Sequence, residues 1–164
     1  MSYEIIKVDP LSQESAWFLP ELASRILLLF ARTCGKETAE IDTRRVFARL
    51  CLADPTILVL AVYDSKGLIG HGVANLLVDQ HEVFVNQCEV DPASPPGVVD
   101  SLLTACNNWG NESKATVMRF ESPTDLHTAR AWAKRYKFRL VSYEMVRPIH
   151  EQQKENQDHS ADHP

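Results

Sequence analysis

The sequence predicts an α/β protein of the α+β type, with a mixed, mostly antiparallel sheet of six to seven strands and about four flanking helices. Residues 57–78 have the pattern of a β-hairpin, and residues 81–109 that of a strand, a Pro-rich loop and a helix. A strand joined to the next strand through a helix favours one parallel pair at the centre of the sheet. The chain of 164 residues is expected to form one domain, residues 1–149, followed by a polar, disordered tail, residues 150–164.

The first third of the chain predicts one strand and two helices. Residues 3–8 alternate well enough for a strand and stop at an Asp-Pro pair. Helical spacing begins at Ser12 and ends near Gly35, and Pro20 fits that helix only near its start or at a kink. A second helix runs from about Thr38 to an Asp-Pro pair at positions 54 and 55, with acidic residues early and arginines late, as the helix dipole favours.

The hairpin and the strand–loop–helix unit follow. Residues 57–63 and 68–78 are rich in aliphatic side chains and flank a turn, and residues 82–90 predict a mostly buried strand. In the next helix, apolar residues recur at helical spacing at Val98, Leu102, Cys106 and Trp109. Ser94 is the expected N-cap of this helix, and Pro95 its first residue.

The last part predicts a strand, a helix and one final strand. The strand covers residues 115–121, and the helix is capped by Thr124 or Asp125 and runs through Tyr136. Residues 138–149 are predicted as a single strand. The predicted order is therefore β-α-α-β-β-β-α-β-α-β.

Composition excludes several classes of protein. The formal net charge is −5 with scattered positive residues, which argues against nucleic acid as a partner. No stretch approaches the roughly twenty apolar residues of a membrane span, and the N-terminus lacks the pattern of a signal peptide. We therefore expect a cytoplasmic protein without membrane contact. The four cysteines form no C-x-x-C pair, so we expect buried thiols and no bound metal.

The order of elements across residues 2–149 resembles the GCN5-related N-acetyltransferase (GNAT) fold. The hairpin ILVLAVYDSKGLIGHGVANLLV is similar to the second and third strands of that family, and ARAWAKRYKF is similar to its last helix leading into the final strand. The resemblance implies that the strand at residues 82–90 splays away from the next one. It also implies that acetyl-CoA sits in the resulting V, with its pyrophosphate on the following loop.

The predicted cofactor loop departs from the family pattern, which is Gln or Arg, two residues, Gly, one residue, then Gly or Ala. Here the loop reads ASPPGVV, with only one matching glycine. Its two prolines carry no N–H, so two potential phosphate donors are missing, and the loop holds no Lys or Arg. The remaining amides could still face a phosphate, although a simple helix start is the alternative. The expected cofactor contacts are Val90, Gly97, Val98 and Val99.

A second departure concerns the proton donor to the leaving thiolate. In the family a tyrosine commonly stands five residues before the phenylalanine that opens the last strand, here Phe138, and that position holds Ala133. Tyr136 is the nearest tyrosine and the candidate for this role, but three residues along a helix it faces a different side. The alternative is a half-exposed residue at the end of a helix.

A general base would be a carboxylate or a histidine on the splayed strand or on the strand before it. Glu82 is the candidate on the splayed strand and shares a face with Phe84, whereas the two-residue period puts Glu89 on the opposite face. Further candidates by residue type are His71, His81 and His127. The alternative for each is a solvated charge without a catalytic role.

Two functions from different classes remain open. The chain could be an N-acyltransferase that uses acetyl-CoA and acts on an amine. Alternatively, it could be a catalytically degenerate GNAT-fold protein that binds a protein partner or assembles as a homo-oligomer. Because both departures fall on positions that would bind the cofactor or donate the proton, the sequence favours the second function.

Overall fold

The computed structural model describes residues 2–121, 126–141 and 144–148. Its strands are β1 (Glu4–Lys7), β2 (Ile57–Asp64), β3 (Gly67–Leu77), β4 (Glu82–Val90), β5 (Val117–Glu121), β6 (Arg139–Val141) and β7 (Glu144–Pro148). Its helices are α1 (Gln13–Ala16), α2 (Leu19–Cys34), α3 (Lys36–Cys51), α4 (Val98–Glu112) and α5 (Leu126–Arg135), with one 3₁₀ turn at Val78–Gln80.

The strands form one sheet in the order β1-β2-β3-β4-β5-β7-β6. Strands β4 and β5 run parallel because α4 connects them as a crossover, and all other neighbours run antiparallel. The predicted mixed, mostly antiparallel sheet with its central parallel pair is confirmed, and so is the fold class.

Two hydrophobic cores lie on opposite faces of the sheet. Side chains of β2 alternate between them: Leu58, Leu60 and Val62 pack on the face covered by α4, and Ile57, Val59 and Ala61 on the face covered by α2 and α3. All six are buried. Helices α2 and α3 lie against β2 and β3 on this second face.

The helix predicted from Ser12 to Gly35 is divided in two. Ser12 caps the short α1 by accepting a hydrogen bond from the Ser15 N–H at 3.2 Å. Helix α2 then begins at Leu19, with Pro20 in its first turn, where the missing N–H has no intrahelical partner to lose. Gly35 has φ of 83° and joins α2 directly to α3.

Two expectations about element boundaries are wrong. Helix α4 begins at Val98 with Gly97 as its N-cap, so Ser94 is not the cap and Pro95 is not in the helix. Ser94 is instead used inside the loop, where its N–H donates to the Asp91 carbonyl and its hydroxyl to the Ile69 carbonyl. The predicted last strand is two antiparallel strands, β6 and β7. Thr124, Asp125 and the tail lie outside the described residues.

The expectation that all four cysteines are buried is also wrong. Cys34 and Cys51 are exposed, Cys88 is half-buried and Cys106 is buried. The two exposed residues end α2 and α3, where the last turn faces solvent.

Candidate active site

Strand β4 has two halves with different surroundings. Its inner half, residues 82–85, pairs with β3 on one edge and with residues 117–120 of β5 on the other. Its outer half, residues 86–90, remains paired with β3 but pairs with no described residue on the β5 side. Glu121, the last residue of β5, pairs with Glu144 of β7 and with nothing in β4. Among the described residues, β4 and β5 are therefore paired only as far as Val85 and Phe120, and the sheet is open between them beyond that point.

A β-bulge marks the point of opening. Val73 of β3 lies opposite Gln87, and the next residue, Ala74, lies opposite Val85. Asn86 is thus an extra residue in β4 without a partner in the ladder. A bulge bends its strand and increases the local twist, which helps the outer half diverge from β5.

The bulge also changes which side chains share a face. Glu82 lies opposite Leu77, and Glu89 lies opposite His71, two positions on β3 that belong to the same face. One inserted residue restores Glu89 to the α2/α3 side of the sheet, together with Glu82. The prediction that Glu89 lies on the opposite face is therefore wrong, because it assumed uninterrupted alternation.

The first turn of α4 follows the outer half of β4 through a seven-residue loop. Gly97 has φ of 91°, a conformation that favours glycine, and no side chain caps the helix. The N–H groups in this first turn have no intrahelical acceptors. Val98 is buried, while Gly97 and Val99 are half-buried. These three predicted cofactor contacts thus lie together at a helix N-terminus, and Val90, also half-buried, ends the strand on the α4 side.

The start of the loop is fixed to α2 by an ion pair. Arg25 lies 2.7 Å from an Asp91 carboxylate oxygen and donates to the Leu68 carbonyl at 2.7 Å. It also pairs with Glu21 one turn away, at 2.9 Å. The Arg25 charge is already shared between two carboxylates, so it does not supply the cation that the loop lacks.

Tyr136 is buried, at 8% exposure, and does not have the half-exposed position expected as the alternative to catalysis. Its ring packs edge-on against Trp132, with centroids 5.4 Å apart. Burial raises the pKa of the Tyr136 hydroxyl, and the Asp100 carboxylate and the Cys88 thiol act in the same direction, whereas Arg135 opposes them. Tyr136 therefore remains a protonated phenol near the first turn of α4 and the outer half of β4.

Helix α5 is linked to the same turn of α4. The Arg135 guanidinium lies 3.3 Å from an Asp100 carboxylate oxygen and 5.2 Å from the centroid of the Tyr136 ring. Ala133, at the position where the family resemblance expects a tyrosine, is buried in the core. Arg135 thus places a positive charge close to the predicted phosphate site, and its side chain is largely exposed there.

Glu82 lies far from these groups. It is 5% exposed and forms a two-pronged pair with Arg119 of β5, at 2.8 Å from Nε to Oε1 and 3.0 Å from Nη2 to Oε2. Four residues of strand, about 13 Å, separate it from the bulge at Asn86. The structure places Glu82 at the closed end of the β4–β5 pair.

His71 and Glu89 lie beside the outer half of β4. His71 is fully buried, and its Nε2 lies 3.0 Å from the side-chain oxygen of Gln87, whose amide donates to the Ile26 carbonyl of α2 at 3.4 Å. Burial lowers the pKa of His71, more than the Gln87 hydrogen bond raises it, so the ring is neutral. Glu89 is half-buried and pairs with Arg32 at 3.3 Å.

The other two candidate histidines lie elsewhere. His81 is exposed in the turn before β4, with φ of 51°, and its carbonyl accepts from the Thr116 N–H at 2.8 Å. His127 is exposed near the start of α5.

Sequence comparison finds no matching family model and no matching curated protein. Solved structures do match. A GNAT-family acetyltransferase from Staphylococcus aureus superposes with a TM-score of 0.67 at 12% identity, over 90% of this chain and 99% of that one. The Salmonella typhimurium protein yncA, solved with acetyl-CoA, has a TM-score of 0.65 at 13% identity, over 92% and 96%.

The chain has the GNAT fold. A third match, PaiA N-acetyltransferase from Thermoplasma acidophilum in complex with coenzyme A, has a TM-score of 0.56 at 15% identity, over 89% of this chain and 97% of that one. Within the GNAT fold, the opening between the outer half of β4 and β5 occupies the place of the expected V. Three of the four predicted cofactor contacts lie at the helix start beside it, and the fourth ends β4.

Within residues 2–121, 126–141 and 144–148, no three His, Cys, Asp or Glu side chains are grouped as metal ligands. No helix in that part of the chain is long and apolar enough to cross a membrane.

Proposed function

We propose that this protein is an N-acyltransferase that uses acyl-CoA and acts on an amine. The observation that carries the proposal is the one-sided pairing of the outer half of β4. Backbone N–H and C=O groups in the interior of a sheet are costly to leave unpaired. An extended chain with its own amides can pair with such an edge, as peptides do when they add a strand. The pantetheine arm of coenzyme A is an extended chain of this kind, with two amides.

The start of α4 supports the phosphate end of the same ligand. The unpaired N–H groups of residues 97–99 and the positive end of the helix dipole favour an anion at this point. The two prolines reduce the number of donors, and Asp100 adds a negative charge that Arg135 offsets. We therefore expect the pyrophosphate to be held by few hydrogen bonds and the affinity for coenzyme A to be modest.

The chemistry follows from groups on either side of the opening. Acyl-CoA, when bound, supplies an activated thioester. Tyr136, kept protonated by burial, would donate its proton to the departing sulfur on the α4 side. On the α2/α3 side, Glu89 is better placed than Glu82 to take the proton from the amine, because Glu89 belongs to the outer half of β4.

A charge-reversal pair tests the cofactor site. Pro96→Glu places a carboxylate beside the first-turn amides, and Thr104→Glu places the same charge on an exposed position further along α4. An acid near a helix start does not destabilise the helix, so folding is preserved. Titration calorimetry with coenzyme A should show at least about tenfold weaker binding for Pro96→Glu and unchanged binding for Thr104→Glu. Equal affinities in the two variants would contradict the proposed phosphate position.

A second candidate is a catalytically degenerate protein that binds a protein partner or a second copy of itself. The specific observation in its favour is the pair of prolines at residues 95 and 96, together with Ala133 at the expected tyrosine position. This candidate predicts no stabilisation by millimolar acetyl-CoA and a mass above that of the monomer in light scattering. The acyltransferase requires stabilisation by the ligand, so one thermal unfolding series separates the two.

A further inference from the structure

A chain of side-chain hydrogen bonds runs from the end of α3 to the bulge in β4. Arg49 donates from Nε to Asp54 at 2.7 Å, from Nη2 to the Thr56 hydroxyl at 2.8 Å, and from Nη1 to the Asn75 side-chain oxygen. Asn75, on β3, donates in turn from its amide nitrogen to the side-chain oxygen of Asn86. The bulge residue is therefore tied to a helix on the α2/α3 face.

The chemistry of the donors fixes the direction of this chain. A guanidinium can only donate, so the Asn75 oxygen must face Arg49, and the Asn75 amide must face outward. That amide can only donate, so it requires the oxygen of Asn86. One orientation of each amide satisfies all contacts, and the side chain of Asn86 is held in one position relative to β3.

The far end of the chain is equally constrained. Asp54 accepts from Arg49 and also from the Thr56 N–H at 2.8 Å and the Thr56 hydroxyl at 2.7 Å. The hydrogen bond from Arg49 is the largest of the effects that lower the pKa of Asp54, to about 2. The carboxylate is therefore charged at neutral pH and holds the guanidinium fork in place.

Asn86 directly follows Val85, the last residue of β4 that pairs with a described residue of β5. A bulge residue has no ladder partner of its own, so a hydrogen bond of its side chain is an additional constraint on its conformation. Among the described residues, the side chain of Asn86 has one side-chain hydrogen-bond partner, the Asn75 amide.

We propose that Arg49 and Asn75 are positioning residues that hold the Asn86 bulge and so keep the outer half of β4 as an open, ordered edge. They touch no ligand and act through Asn86. The claim that this edge binds acyl-CoA rests on the proposed function. The order of the edge itself is a property of the free protein and can be measured without coenzyme A.

The first test is amide hydrogen exchange on the full chain without ligand. Arg49→Met and Asn75→Leu each break the series of hydrogen bonds that leads to Asn86. Arg45→Met is the matched control, because among the described residues Arg45 forms an ion pair with Asp42 at the surface. We expect exchange to speed up at least about tenfold at residues 86–90 in the first two variants, and to stay at the wild-type rate at residues 82–85. Wild-type exchange at residues 86–90, or uniform acceleration over the whole sheet, would overturn the inference.

The second test is coenzyme A binding by calorimetry in the same variants and in Arg49→Lys. Lysine keeps the charge beside Asp54 but cannot reach Thr56 and Asn75 together, so it should behave like Arg49→Met. We expect about fivefold or greater loss of affinity in all three network variants and none in Arg45→Met. Faster exchange with unchanged affinity would show that the network does not serve this ligand. If the wild type does not bind coenzyme A, the proposed function is refuted. The role of Arg49 and Asn75 in ordering residues 86–90 is then decided by the hydrogen-exchange experiment.

Discussion

At the scale of single residues, the sequence identifies ionisable groups but not their partners. Glu82 and Glu89 have the same residue type and lie on the same predicted strand. In the structure Glu82 is paired with Arg119 at the closed end of the strand pair, whereas Glu89 is beside the opening. Arg119 is 37 positions away, and only the parallel register of β4 and β5 brings the two side chains together.

His71 predicts a pH dependence of stability. Its pKa in the folded protein is below the ordinary value of 6.5 because the ring is buried, so the unfolded chain binds a proton more readily. The free energy of unfolding should be constant above about pH 6.5 and fall below it, by at most about 1.4 kcal/mol per pH unit. The charged groups that act on the ring are Glu89, Arg25 and Asp91.

Chemical denaturation between pH 5 and 8 measures this effect. His71→Gln should lose the slope that begins near pH 6.5, and the control His81→Gln, at an exposed position, should retain it. A slope in that range that persists in His71→Gln would assign the effect to another group.

Tyr136 predicts a separation of activity from stability. Tyr136→Phe removes the hydroxyl and keeps the ring against Trp132, and the melting temperature of the variant shows whether a loss of activity comes from a loss of stability. If Tyr136 protonates the leaving sulfur, turnover of acetyl-CoA with an amine should fall about 10²-fold or more. The matched control is Tyr63→Phe, whose hydroxyl donates to Glu4 on the edge strand. Equal rates for the wild type and Tyr136→Phe would remove Tyr136 from the mechanism.

At the scale of elements, the strands and helices were predictable because their apolar periods are clear, whereas their ends and irregularities were not. Residue type favours Ser94 as the N-cap, but its N–H and hydroxyl donate to the carbonyls of Asp91 and Ile69. The bulge could not be predicted, because Val83, Phe84 and Val85 are all apolar and the strand has no regular two-residue period that an inserted residue would break. The adjacent polar residues Asn86 and Gln87 are the only irregularity at that point of the strand.

Replacing the two prolines before α4 should increase the affinity for coenzyme A. Pro95→Ala with Pro96→Ala restores two N–H groups next to the start of α4, and each new bond to a phosphate adds to binding. We expect coenzyme A to bind up to about tenfold more tightly in the double variant. Pro92→Ala, a proline to alanine change earlier in the same loop, is the control and should bind like the wild type. Weaker or unchanged binding in the double variant would mean that missing donors do not limit the affinity.

At the scale of the whole molecule, the fold was predictable from order alone. The hairpin, the strand–loop–helix unit and the last helix and strand recur in the order of the GNAT fold, and structures at 12–15% identity share it. The opening in the sheet was expected only through that resemblance, because no residue pattern shows where two parallel strands part. The structure locates the opening, because the described pairing of β4 with β5 ends at Val85, whereas the pairing of β4 with β3 continues to Val90.

The central claim is that the opening between β4 and β5 binds an acyl-CoA, and calorimetric titration of the wild-type protein with acetyl-CoA tests it most directly. The account predicts saturable, one-to-one binding. At a hundred times the measured Kd, acetyl-CoA should raise the free energy of unfolding by about 2.7 kcal/mol. No heat of binding and no stabilisation at millimolar acetyl-CoA would contradict it.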